Sequence, residues 1–262
     1  MIQIKNVDVF GWEHAIRGMR NPMNSWAKSD STFIDVFDDY EDLRSYYSKS
    51  ADIGENDLEL MKKLAADGPV HAKYRRMITV YMDILAPLYW WKEFDTYKVG
   101  TVANSCSTMH KIAEKEFTID DFSYEHLFSP LCFEPDDEDA DECGIYISEM
   151  APDQHTKYAV IDGGDKVDFF VYPEDMLEAT VKMLNICRET YLRTKDKRFW
   201  WQLIQLLPSS YNQKRTVMLN YEVLANIYKY RKDHKLDEWR EFCEMIEQLP
   251  HSDIITGGNN NE

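Results

Sequence analysis

From Met77 to Leu85 the residues alternate. Ile78, Val80, Met82 and Ile84 fall on one face of an extended chain, and Thr79, Tyr81 and Asp83 fall on the other. A period of two predicts a strand with one face buried and one face wet. Ala86-Pro87 then turns the chain. Proline, with fixed φ and no N–H, suits the first turn of a helix, here carried through Tyr89-Trp90-Trp91 to about Tyr97.

Other elements are punctuated by caps and breakers. His14 to Pro22 predicts a short helix halted by Gly18 and Pro22, whose His14, Arg17 and Arg20 either face an anion or form a solvated face. Asn56 to Ala66 predicts a helix with Asn56 as N-cap, Glu59 completing a capping box, and Gly68-Pro69 as the stop. A basic patch follows at Lys73, Arg75 and Arg76. Gly100 to Thr108 is small, polar and without period. It is either a loop that lets backbone N–H groups and hydroxyls approach a ligand or an ordinary connection. Asp136-Asp137-Glu138-Asp139-Ala140-Asp141-Glu142 lacks the spaced ligands and central glycine of a calcium loop and predicts a solvated loop. Ile145-Tyr146-Ile147, Tyr158 to Ile161, a turn at Asp162-Gly163-Gly164-Asp165, and Val167 to Val171 predict a β-hairpin or small β-lobe. Helices are expected over Pro173–Arg193, Arg198–Leu207 and Thr216–Gln248, the last broken at Pro250. Residues 256–262 are expected to be a disordered tail.

Charge narrows the partners. Lys and Arg total 30 against 47 Asp and Glu, so the net charge is 30 − 47 = −17. Such a surface repels nucleic-acid polymers and anionic membranes, so any phosphate site must be local and basic. No apolar run approaches the roughly 20 residues of a membrane span. The N-terminal residues show no signal-peptide core. The five cysteines, Cys106, Cys132, Cys143, Cys187 and Cys243, include no CxxC, so reduced thiols in a cytoplasmic protein are expected, with no metal site. The spacing also leaves room for one disulfide between Cys132 and Cys143.

Two stretches, residues 77–112 and 200–250, resemble the flavin-dependent thymidylate synthase family. The first is the strand, the Ala-Pro turn and the aromatic helix, followed by a degenerate form of the family signature. That signature reads Arg-His-Arg, four residues, Asn-Glu, one residue, Ser, one residue, Arg-Tyr. Here Asn104 and Ser107 match it in register. The second is Leu207-Pro208, Asn220, Asn226 and Arg231, spaced by 12, 6 and 5 as in the family. On one continuous helix, Asn220 and Arg231 would share a stripe about 20° wide, with Asn226 on a different face. The plain alternative is that Asn220 caps a helix and Arg231 is a surface charge.

The resemblance implies one α/β domain over 1–262. It would have a central, mostly antiparallel sheet flanked by long helices, with an inserted acidic β-hairpin segment over 113–172, assembled as a homotetramer. It implies reductive methylation of dUMP to dTMP, with methylenetetrahydrofolate as carbon donor, FAD as hydride carrier and NADPH as reductant. Carried over by position, Asn104, Asn220, Asn226 and Lys98 would contact FAD. Ser105, Cys106, Ser107 and Arg231 would contact the nucleotide, and Arg231 is the candidate catalytic residue. Cys106, with His110 nearby, is either a nucleophile of the kind used by the other, classical thymidylate synthase or a buried structural thiol.

The departures are specific. Tyr97-Lys98-Val99 replaces Arg-His-Arg, Met109 replaces an arginine, and Ile204 replaces another. Neither Met nor Ile can fork onto a phosphate. The phosphate site is therefore rebuilt or lost, with Lys92, Lys98, Lys111, Arg75, Arg76, Arg17 and Arg20 as candidates for rebuilding it. A non-catalytic flavin- or nucleotide-binding homologue, or the same chemistry on a different pyrimidine nucleotide, are the alternatives.

Overall fold

The computed structural model describes residues 2–37, 47–127, 145–150, 156–161, 166–170 and 172–257. Strand β1 (Gln3–Phe10) and helix α1 (Trp12–Arg20) come first, then β2 (Thr32–Phe37), β3 (Tyr47–Asp52) and α2 (Glu55–Ala66). Next are β4 (Thr79–Pro87), α3 (Leu88–Phe94), β5 (Val102–Ser105) and α4 (Thr108–Lys111). Strands β6 (Ile145–Met150), β7 (Thr156–Ile161) and β8 (Lys166–Phe170) precede α5 (Pro173–Thr194) and α6 (Lys197–Leu206). Strand β9 (Asn212–Asn220) and helices α7 (Tyr221–Arg231), α8 (Asp237–Glu247) and α9 (Asp253–Thr256) follow. The described residues form two compact units. One takes the described residues within 2–86, 90–105 and 214–257; the other takes those within 87–89 and 106–213.

The first unit is built on a four-stranded sheet in the order β1-β4-β9-β5, with β1 antiparallel to β4 and β5 antiparallel to β9. The alternation expected for β4 holds: Val80, Met82, Ile84 and Ala86 are buried. Burying Val80, Met82 and Ile84 contributes roughly 1.5–3 kcal/mol each. On the opposite face Asp83 accepts from Thr216 Oγ1 at 2.6 Å and Asn6 Nδ2 at 3.0 Å and pairs with Lys214 at 2.9 Å. One carboxylate thus ties three strands, and these donors hold its pKa down to about 2. Gly11 joins β1 to α1 with φ of 99°, and a Cβ there would stand 2.0 Å from the Met77 carbonyl oxygen. Only glycine fits that left-handed, close-packed turn.

The helix expected over Thr216–Gln248 is corrected to a strand and two helices. Val217 and Leu219 are buried on one face of β9, and sheet burial decides the conformation up to Asn220. Asn220 is extended, with φ −125° and ψ 167°, and its Oδ1 accepts from Val223 N at 3.0 Å, which starts α7. Thr256, the first residue of the expected tail, is the last residue of α9. Helix α1 also runs through Gly18 instead of stopping there; a Cβ at Gly18 would lie 3.0 Å from the Met77 sulfur. Asn56 lies inside α2, not at its cap. The Asp30 carboxylate accepts from Asn56 N at 2.9 Å and Asp57 N at 3.2 Å and satisfies that helix end from outside. Part of the expected Gly100–Thr108 loop is strand β5.

Helix α3 is buried within its own chain. Trp90 meets Phe94 at 5.0 Å, Trp91 at 4.9 Å and Trp239 of α8 at 4.8 Å between ring centroids. Its aromatics therefore fill the core of this unit.

The second unit packs α5, α6 and the segment after α4 around Ile112, Phe117, Phe122, Leu177, Leu184 and Leu203. Pro173 sits in the first turn of α5, as expected, and Lys195 caps its end with φ of 58°. Strands β6, β7 and β8 form a three-stranded antiparallel sheet, one strand more than a hairpin. The acidic run 136–142, Cys132, Cys143, the turn 162–165 and residues 258–262 lie outside the described residues. No helix among the described residues is long and apolar enough to cross a membrane, and no group of His, Cys, Asp or Glu among them could hold a metal ion.

Candidate functional site

The strand-to-helix joint at Asn220 opens a cleft of about 990 Å³ in the first unit. Asn220 and Asn226 both line it, although one caps α7 and the other stands in its second turn. Reading one continuous helix put them on different faces; the cap conformation at Asn220 brings both onto one wall. Gly100 lies opposite with φ of 84°, and a Cβ there would meet Asn220 Nδ2 and Val223 Cγ2, each at 3.2 Å.

The cleft is basic in a chain of net charge −17. Arg75, Arg76, Lys229 and Lys232 line it against a single carboxylate, Glu222. Arg75 and Arg76 come from the 3₁₀ turn Ala72–Met77, so the basic patch seen in the sequence is the one that reaches a cavity. Lys229 and Lys232 escaped the sequence reading because cations near a helix C-terminus look like ordinary dipole partners. Arg75 is 8% exposed, and its Nε has no hydrogen-bond partner. Its nearest carboxylate is Glu222 at 3.7 Å, beyond hydrogen-bond reach, and Glu222 Oε2 is likewise buried and unsatisfied. Both atoms are shut off from solvent, so Arg75 and Glu222 compensate each other as a loose ion pair in the cleft wall, and the exposed cations of the cleft are Arg76, Lys229 and Lys232. Tyr228 also lines the cleft. Its hydroxyl donates to Glu247 Oε1 at 2.6 Å, and that bond, with burial, pushes its pKa up to about 12.

Arg231 lies at the far end of α7 and does not line this cleft. Its Nη1 donates to Glu93 Oε2 at 2.6 Å, its Nε donates to Tyr97 Oη at 2.9 Å, and its guanidinium lies 4.7 Å from the Trp239 ring centroid. Trp239 Nε1 donates to the same Glu93 oxygen at 3.0 Å. Among the described residues, Arg231 Nη2 has no partner. Lys98 is exposed and Val99 is 86% exposed; only Val99 of that pair lines the cleft.

The remaining expected site residues do not line this cleft. Asn104 and Ser105 are exposed on β5, opposite Thr216 and Arg215 of β9. The Cys106 carbonyl accepts from Gln213 Nε2 at 2.9 Å, and the Cys106 side chain is exposed, which corrects the expectation of a buried structural thiol. Ser107 Oγ accepts from His110 N at 3.1 Å and caps the short helix α4. Arg20 is removed from the phosphate candidates. It is buried, and its Nε donates to Asp57 Oδ1 at 2.5 Å.

No family model matches the chain, and no curated protein does. Among solved structures it is similar to thymidylate synthase X (ThyX) from Helicobacter pylori with FAD and dUMP, at 13% identity over 99% of this chain and 98% of that one, with a TM-score of 0.58. A second structure, the flavin-dependent thymidylate synthase ThyX from Helicobacter pylori complexed with FAD and dUMP, matches at 14% identity, 97% and 99% coverage, and a TM-score of 0.57. The UMP/dUMP methylase PolB from Streptomyces cacaoi, bound with 5-Br dUMP, matches at 13% identity, 98% and 93% coverage, and a TM-score of 0.52. The chain has a ThyX-like fold, with mixed helices and an antiparallel sheet, as the sequence led us to expect.

Proposed function

We propose that this protein is a flavin-dependent enzyme of pyrimidine-nucleotide methylation, holding FAD in the Asn220 cleft and methylating dUMP or a related nucleotide. The observation that carries the proposal is the joining of Asn220, Asn226, Arg75 and Arg76 in one basic cavity. The residues fit the cofactor. Arg76, Lys229 and Lys232 suit a pyrophosphate, the two amides suit the edge of a polar ring system, and Gly100 keeps one wall open.

Bound FAD would supply hydride chemistry, with NADPH as reductant and methylenetetrahydrofolate as the carbon source. The protein's own part is positional. Asn220, fixed as a helix cap, and Asn226, six residues on, hold a planar ligand at set height along α7. Glu93 and Tyr97 hold Arg231 rigid and leave Nη2 to meet a nucleotide. The family resemblance assigns nucleotide contacts to Ser105, Cys106 and Ser107 as well. No protein nucleophile is needed, so Cys106 has no covalent role. A homotetramer in the cytoplasm completes the proposal.

A second reading, a homologue that binds flavin or nucleotide without turnover, is favoured by one observation. Glu93 already neutralises Arg231, and Val99 brings no charge where the family signature has arginine. The UMP/dUMP methylase among the similar structures supports a third reading, the same chemistry on a ribonucleotide.

The test is to titrate FAD into purified protein, then dUMP and UMP into the complex, following the flavin spectrum. Methylated product is then assayed with methylenetetrahydrofolate and NADPH. Flavin uptake with a nucleotide-dependent spectral change and methylated product supports catalysis. Uptake without product supports the binding homologue. A protein that takes up no flavin sinks both.

A further inference from the structure

Arg231 has a further neighbour beside the Glu93 carboxylate. Just past the end of α7 the chain turns at His234, whose backbone N donates to the Arg231 carbonyl at 3.0 Å. The His234 ring Nε2 lies 3.0 Å from Arg231 Nη1 and 3.7 Å from Glu93 Oε2. We propose that His234 is a positioning residue for Arg231: its uncharged ring takes the second Nη1 hydrogen, aims Nη2 outward, and releases the guanidinium when the ring is protonated. This inference rests on the reading of Arg231 as a nucleotide contact.

A guanidinium carries its N–H groups in one plane, two of them on Nη1. Glu93 Oε2 takes one Nη1 hydrogen at 2.6 Å, and Tyr97 Oη takes the Nε hydrogen at 2.9 Å. His234 stands where the other Nη1 hydrogen needs an acceptor. Acceptors from three side chains then fix the plane along its inner edge, and both Nη2 hydrogens are left for a ligand. The Trp239 ring, 4.7 Å from the guanidinium, covers one face. The Arg231 and His234 side chains are only 17% and 20% exposed, so water screens their contact less than it would on an open surface.

The charge of the ring decides whether this hold exists. Two N–H groups aim at its two nitrogens: Arg231 Nη1 at Nε2, and Leu236 N at Nδ1, the latter at 3.2 Å. A neutral imidazole offers one lone pair, and an imidazolium offers none. The charged donor is also the nearer one, and it claims the lone pair, so the neutral ring carries its proton on Nδ1. Protonation at Nε2 sets a second cation 3.0 Å from Nη1 and turns a new N–H towards Glu93, and two cations then compete for one carboxylate. The other charges nearby come in pairs of opposite sign. Arg240 of α8 donates from Nη1 to the His234 carbonyl at 3.0 Å and pairs with Asp237, and Asp233 and Lys235 flank His234 in the chain. Histidine is the side chain whose charge ordinarily changes between about pH 5 and 8.

The test joins NMR of the full chain, with isotope-labelled histidine and arginine, to titration of dUMP into the FAD-loaded protein, both between about pH 8 and pH 5.5. His234→Gln puts an amide oxygen near the place of Nε2 and cannot titrate; Arg231→Lys identifies the Arg231 signal by its loss. At the alkaline end the ring should show its proton on Nδ1 and its lone pair on Nε2. As the ring gains its second proton, the Arg231 Nε–H signal should shift in wild type and stay in place in His234→Gln. His234→Ala should weaken dUMP binding about fivefold at the alkaline end, and His234→Gln should recover most of that loss. On acidification wild type should lose about fivefold relative to His234→Gln, a difference in which the titration of the ligand's own phosphate cancels. Three results overturn the proposal: a proton on Nε2 of the neutral ring, an Arg231 signal indifferent to the charge of the ring, or parallel pH profiles of dUMP binding in wild type and His234→Gln. No dUMP binding at any pH sinks the nucleotide reading of Arg231 instead, and the two NMR signals then decide the role of His234 by themselves.

Discussion

Arg231 Nη1 lies 2.6 Å from Glu93 Oε2, and that oxygen also accepts the indole N–H of Trp239 at 3.0 Å. One half-exposed carboxylate therefore anchors the end of α7 to α3 and α8. Glu93→Ala would strand a guanidinium N–H and an indole N–H together, at a cost of about 2 kcal/mol. Glu93→Gln keeps an acceptor for Trp239 and should cost about half as much. Urea denaturation of the two variants checks the ordering; equal stability of Glu93→Ala and wild type would show that the anchor is idle.

Arg76 should matter to the ligand more than to the fold. It is exposed and lines the cleft, whereas Arg75 is paired loosely with Glu222 at 3.7 Å. Arg76→Met should lower FAD affinity about tenfold, the loss of one charge-assisted contact. Arg75→Met/Glu222→Gln removes the loose pair together and should lower that affinity less. Fluorescence quenching of FAD measures both.

What could be read from the sequence depended on whether local chemistry and tertiary burial agreed. The alternation of Val80, Met82 and Ile84 survives because the wet face holds Asp83, which the sheet itself satisfies. Helix α5 is legible from Pro173 and its apolar period. The stretch after Pro208 is not, because Asn220 joins strand to helix with neither Gly nor Pro to mark the change. The stripe that one continuous helix would give Asn220 and Arg231 does not form, because Asn220 is an extended cap residue; that cap sets Asn220 on the same cleft as Asn226, while Arg231 lies outside it. Arg76 and Arg20 looked alike as basic residues. Only packing shows that Arg20 is spent on Asp57 while Arg76 faces a cavity.

Gly100→Ala tests the open wall of the cleft. With φ of 84°, any side chain at this position is strained, by about 1 kcal/mol. The new Cβ would also press on Asn220 Nδ2 at 3.2 Å and shift the cap amide. The variant should fold, lose about that much stability and take up less flavin. Uptake equal to wild type would show that the amide is not a ligand contact.

Asp57 is fully buried. Burial alone would raise its pKa, but hydrogen bonds from Ser29, Ser31 and Arg20 outweigh it and hold the carboxyl below its ordinary value of 3.8. A depressed native pKa gives stability that is present above about pH 4 and lost as pH falls through the native value. Asp57→Asn removes that acid dependence and leaves Arg20 charged and buried, at about 3–5 kcal/mol. Urea midpoints measured from neutral pH down to about pH 3 should slope less in the variant than in wild type.

The alkaline limb should fall for the opposite reason. Burial pushes the Cys243 thiol up to about 12 from 9.0, and the Tyr74 hydroxyl up to about 12 from 10.0. Tyr74 also donates to the Met61 carbonyl at 2.7 Å, a bond its phenolate cannot make. Groups that hold protons more tightly when folded give stability that is complete below their unfolded pKa values and drains away as pH rises towards the native ones. For Tyr74 the difference is on the order of 3 kcal/mol. Stability should therefore be flat to about pH 9 and decline steeply towards pH 12. Cys243 should resist thiol reagents until that decline, while the exposed Cys106 reacts at once, which Cys106→Ser confirms by removing one fast equivalent. Phe at position 74 removes the ionisable group along with its hydrogen bond. Tyr74→Phe should start less stable at neutral pH and lose less between pH 9 and 12; a parallel decline would assign the alkaline loss to other groups.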